Sequence, residues 1–126
     1  MSRGQISAEF IIFLGLAFMT ALFFELASLD QLKDFRIKKE SEAMNDLALK
    51  LQREILLAAT VEDGYVRTFS VPQTIDNMNF TLATQNLSII VQSRNSYFMM
   101  PIPTAAGNLS KGANTINKTG GVIHIN

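Results

Sequence analysis

Beyond residue 62 the chain offers two carboxylates, Asp63 and Asp76, and one histidine, His124; cysteine is absent throughout. Catalysis needs an acid, a base or a nucleophile within hydrogen-bond reach of one another. These residues form no recognisable triad, phosphate-binding loop or metal spacing, so no enzymatic activity, cofactor or metal is expected. The chemistry that does recur is the asparagine amide in the acceptor pattern Asn-x-Ser/Thr. It occurs at Asn79 with Thr81, Asn86 with Ser88, Asn108 with Ser110 and Asn117 with Thr119. An exposed sequon can carry an N-linked glycan. Phe80 and Leu82 alternate with Asn79 and Thr81, and Leu87, Ile89 and Val91 alternate with Asn86 and Ser88. In strands of period two, both asparagines then point away from the core. His124, between Ile123 and Ile125, reads as a strand residue on the less buried face rather than as a ligand.

Something must hold these residues, and the composition limits what that is. The chain has 126 residues, 11 basic and 11 acidic, which makes one small domain with an appendage and gives no support for nucleic-acid binding. Without cysteine there is no disulfide framework and no thiolate zinc site, so stability comes from packing. The apolar residues are unevenly spread: residues 10–24 (FIIFLGLAFMTALFF) carry no charge. As a helix this run is roughly 22 Å long against a hydrocarbon core of about 30 Å; continuing to Leu29 reaches about 30 Å, but only by including Glu25. A secretory signal, a single-span anchor and a buried core helix are each compatible with such a run. The small-x-small cleavage pattern of a secretory signal is poorly met around residues 25–28. Lys33, Arg36, Lys38 and Lys39 follow the run and Arg3 precedes it, so charge counting alone places the C-terminal part inside.

The residues before the run carry a denser pattern, Gln5-x-Ser7-x-Glu9-Phe10, with Arg3 and Gly4 ahead of it. This resembles the class III signal peptide of archaeal type IV pilin-like proteins. The resemblance implies cleavage by a membrane-embedded aspartyl prepilin peptidase between Gly4 and Gln5, which removes residues 1–4 and leaves the apolar run on the mature protein. It also implies that the N-terminus starts in the cytoplasm and that subunits later leave the membrane for an extracellular surface filament. Copies of the chain or related pilins, the peptidase, the pilus assembly machinery and, before assembly, the membrane are the implied partners. Gln5, Glu9 and Phe10 are the implied assembly residues. The new α-amino group at Gln5, with a pKa of about 7.7–8.0, is mostly charged at neutral pH. Glu9 of an incoming subunit would be attracted to it, setting axial register. Glu9 also reads more plainly as a first-turn acid that complements the helix dipole, and Ser7 as a local cap.

Filament assembly gives an all-round apolar helix its surroundings. Phe10, Phe13, Phe18, Phe23 and Phe24 offer contact area, while Gly15, Ala17 and Ala21 permit close approach. Glu25 in that setting needs a cation such as Lys33 or Arg36 of another copy. From residue 29 to 62 apolar residues recur at helical steps through Leu32, Met44, Leu47, Ala48, Leu51, Ile55, Ala58 and Ala59, with mixed charges between them. Asp63 and Gly64 mark the stop.

Beyond Gly64, short alternating runs at 65–71, 78–83, 87–92, 97–102, 114–118 and 122–125 predict an antiparallel sheet. Pro101 and Pro103 suit an edge, and residues 119–121 a tight bend. The expected fold is α+β: a leader at 1–4, an apolar transmembrane and assembly helix at 5–29, its amphipathic continuation at 30–62 and a β-rich head at 63–126. The head's sheet is expected to cover Leu47, Leu51, Ile55 and Ala58. The alternative to a major or minor filament subunit is a monomeric, single-span surface module whose head binds a ligand.

Overall fold

The computed structural model describes residues 3–85 and 87–126, with the side chains of Arg3, Gln5 and Ile6 outside that description. One long helix, α1 (Arg3–Thr60), precedes seven strands: β1 (Val66–Val71), β2 (Thr81–Gln85), β3 (Ser88–Gln92), β4 (Tyr97–Pro101), β5 (Ala105–Gly107), β6 (Gly112–Thr119) and β7 (Val122–Ile125). The chain is α+β, and it divides into two compact units, Met1–Ile37 and Lys38–Asn126.

No proline or glycine falls between Gly15 and Gly64, so nothing breaks the helical hydrogen-bond ladder there. Within the second unit the helix buries Met44, Leu47, Ala48, Leu51, Ile55 and Ala58 against Val71, Phe80, Ile89, Val91, Ile102, Leu109, Ile116, Ile123 and Ile125. Each large aliphatic side chain so buried contributes about 1.5–3 kcal/mol. The four helix residues expected under the sheet are all there. The helix ends at Thr60, earlier than Asp63 and Gly64 would place it, because strand β6 captures its end. Lys118 Nζ donates to Ala59 O at 2.9 Å and Val61 O at 2.7 Å, and Gly64 N–H donates to Lys118 O at 2.9 Å. Gly64 has φ 95°, the left-handed conformation glycine takes without a side-chain clash.

The strands form two sheets rather than one. β1-β6-β7-β5 is four-stranded, with β5 and β7 parallel, and β2-β3-β4 is antiparallel and three-stranded. Ala105–Gly107 has no β-branched or aromatic residue and so gives no strand signal. It pairs because Gly107, at φ 103°, lets Ile125 O approach where a Cβ would otherwise sit. The bend after β6 matches expectation: Thr119 pairs with Val122, and Gly120 and Gly121 both have positive φ. β4, ending at Pro101, is an edge strand.

Two local expectations fail. The run at 78–83 starts its strand only at Thr81, because Ile75 and Met78 close a turn over Asp76 and Asn77, both at positive φ. Leu87, expected to face the core with Ile89 and Val91, is 56% exposed with φ 63°. Gln85 pairs with Ser88, leaving too little chain for Leu87 to join the strand.

Candidate assembly segment and modification sites

In the first unit Gly4, Glu9 and Phe10 are exposed on α1, Phe10 at 67%; the side chain of Gln5 is outside the described residues. The helix already runs from Arg3. Cleavage between Gly4 and Gln5 would leave Glu9 four residues from the new N-terminus of this helix. Phe13, Phe18, Phe23 and Phe24 are exposed as well, together with every described residue from Ser7 to Lys39. No part of the apolar window is buried, and the helix is long and apolar enough to cross a membrane.

Two hydroxyls of this stretch are satisfied by the helix's own backbone. Thr20 Oγ1 donates to Leu16 O and Ser28 Oγ to Phe24 O, each at 2.8 Å. Such back-bonding removes hydroxyl donors that an apolar surrounding could not satisfy. Gly15 has open space where a Cβ would stand, which leaves a notch in the helix surface. Glu25 is exposed, and the nearby Asp30–Lys33 contact is a loose 4.0 Å surface pair.

The sequons fall in different settings. Asn79 is exposed just before β2. It lines a shallow cleft of about 310 Å³ with Phe80, Thr81, Gln92, Ser93 and Arg94. Asn117 is exposed on β6, with Val66 and His124 as its cross-strand neighbours. His124 is itself exposed on the same strand face. Asn108 is exposed too, but its amide nitrogen lies 3.2 Å from Gly107 O and 3.3 Å from Thr84 O when oriented to donate. Asn86 lies outside the described residues.

Several polar contacts hold the head and had no separate sequence signal. Asn114 is fully buried; its Oδ1 accepts from Ser110 N–H at 2.8 Å, and its Nδ2 donates to Ser110 O and Gly112 O. Glu40, 4% exposed, accepts from Ser93 Oγ at 2.6 Å. Arg67 forks onto Glu54, with Nε 2.7 Å from Oε2 and Nη2 3.1 Å from Oε1. Helical periodicity marks Glu40 and Glu54 only as charges among charges. Their partners lie across loops that the sequence alone does not close.

Among the described residues no group of three or more His, Cys, Asp or Glu side chains could hold a metal. The chemically distinctive surface of the first unit is therefore an apolar helix preceded by residues 5–10. That of the second is a sequon-bearing sheet. Comparison of the chain with family models, with curated proteins and with solved structures finds no match in any of the three.

Proposed function

We propose that this chain is a structural subunit of an archaeal type IV pilus-like surface filament. It is cleaved between Gly4 and Gln5 by a prepilin peptidase and polymerised through its N-terminal helix. The observation that carries this reading is the exposed, all-round apolar helix standing directly behind Gln5-x-Ser7-x-Glu9-Phe10. A surface of this kind is not stable in water and needs lipid or other helices around it. The run is short for a permanent span, and its hydroxyls are back-bonded, both of which suit transfer from bilayer to a helical core. The head then faces outward, with Asn79 and Asn117 accessible for glycans.

Intact-mass measurement of the protein from its native host tests this directly. The mature chain is expected to begin at Gln5, with any glycan mass on the head. A chain beginning at Met1 or near Leu29 overturns the processing step, and with the second start the apolar run is lost and assembly with it. Microscopy of sheared surface material decides between a polymer and a monomeric membrane-tethered module. Filaments containing the chain support the first.

A further inference from the structure

The described sequons do not offer the same amide. The nitrogen of Asn108, oriented to donate, lies 3.2 Å from Gly107 O and 3.3 Å from Thr84 O, and is committed to the head's own backbone. Asn117 stands within β6, which is paired on one side with β1 and on the other with β7. Asn79 differs from both. It is exposed, and it precedes the edge strand β2, whose ladder begins only at Thr81.

The position of Asn79 is nonetheless fixed by its neighbours. Phe80 is 3% exposed in the core, with Lys111 Nζ 4.4 Å from the centre of its ring. Thr81 pairs with Gln92 on β3. The same residues line the cleft that continues through Ser93 to Arg94. Ser93 is itself tied down, its Oγ donating to Glu40 at 2.6 Å and its N–H to Ser96 O at 2.8 Å. Gln92 and Arg94 are exposed beside it.

We infer that Asn79 carries an N-linked oligosaccharide whose first sugar sits in this cleft, against Gln92 and Arg94. Attachment joins Asn79 Nδ2 to C1 of a sugar carried on a polyisoprenyl phosphate. The bond from C1 to the phosphate oxygen breaks, its electron pair leaves with the lipid phosphate, and one amide proton passes to a base of the transferase. Sugar hydroxyls both donate and accept, and the amide of Gln92 and the guanidinium of Arg94 supply fixed donors to them.

Size and tethering select this occupant. At about 310 Å³ the cleft is at the bottom of the range for ligand sites, roughly 300–1,000 Å³, so it suits a first sugar rather than a long free chain. A shallow polar surface holds a free sugar weakly. Attachment at the cleft's own lining residue replaces that encounter with an effective concentration of about millimolar order. The seat rests on the filament reading above only in needing the head outside the cell; it does not depend on polymerisation.

The test compares the full chain from its native host with the full chain made in a host without N-glycosylation. Peptide mass mapping of the native-host chain is expected to find an oligosaccharide on Asn79. Asn79→Gln and Arg94→Ala are each expected to lower the melting midpoint of the native-host head by at least about 4 °C, Arg94→Ala while still carrying the sugar. Neither substitution is expected to move the midpoint of the unglycosylated chain. Sugar on other head asparagines but not on Asn79, or no sugar on the head at all, overturns the inference. So does an occupied Asn79 with a midpoint that Arg94→Ala leaves in place, because the sugar then hangs free, or an equal loss from Arg94→Ala with and without the sugar. Each of these leaves the filament reading intact. A chain missing from sheared filaments overturns that reading alone, and an occupied, Arg94-dependent Asn79 then still supports the seat.

Discussion

Lys118 shows how one side chain can define where a long helix stops. Helix C-termini leave carbonyls without partners, and a cation donating to them both satisfies hydrogen bonds and opposes the negative end of the dipole. Its ammonium reaches two such carbonyls, on Ala59 and Val61, while its own backbone pairs with Tyr65 and Gly64. Charge-assisted bonds of this kind contribute about 1.5–3 kcal/mol each when buried, and less where water competes, as in this part-buried site. Lys118→Met keeps the aliphatic stem and removes the donors. It is expected to destabilise the head by about 1–3 kcal/mol, a fall in melting midpoint of roughly 5–15 °C for a domain this size. A thermal melt followed by circular dichroism reads the change. An unchanged midpoint means that water satisfies those carbonyls equally well and that the strand pairing alone ends the helix.

At the scale of elements, legibility followed the strength of the periodic signal. The helix showed in the sequence because apolar steps of three and four run from Leu29 to Ala59 without a glycine or proline. β7 showed because Ile123 and Ile125 alternate with exposed partners. The Gly120–Gly121 bend was legible for the same reason that it forms: both residues need positive φ. β5 was not legible, since its pairing depends on a missing Cβ at Gly107 rather than on any side chain. The division into two sheets was hidden as well, because alternation reports which face is buried and not which strands are neighbours. At the candidate site, the exposure of Asn79 agreed with the reading from sequence. On the proposed filament reading, Glu9 of one copy is attracted to the new terminus at Gln5 of another. Glu9→Ala is therefore expected to leave the protein cleaved and membrane-bound yet absent from sheared filaments, as read by immunoblots of membrane and filament fractions. Abundant filaments from this variant remove the register role.

Across the whole molecule, the buried core is confined to one of the two units. Every buried core residue lies in Lys38–Asn126, beginning with Met44, and the hydrogen bonds of Glu40, Glu54, Asn114 and Lys118 close within the same unit. The surface pair Lys39–Asp76, 3.3 Å apart, also belongs to it. Among the described residues, none of 7–37 belongs to the packed core, and the apolar side chains from Phe10 to Ile37 are exposed. On the proposed filament reading, removing them also removes the surface that drives association. A fragment spanning 38–126 is thus expected to be a soluble monomer with a cooperative thermal transition, within a few degrees of the head transition of the full chain in detergent. Size-exclusion chromatography with light scattering, followed by a melt, tests both halves of that statement. A monomer with no cooperative transition shows that the N-terminal helix contributes to folding the head and not only to its placement. A folded fragment that still forms large assemblies shifts the source of polymerisation from the helix to the head.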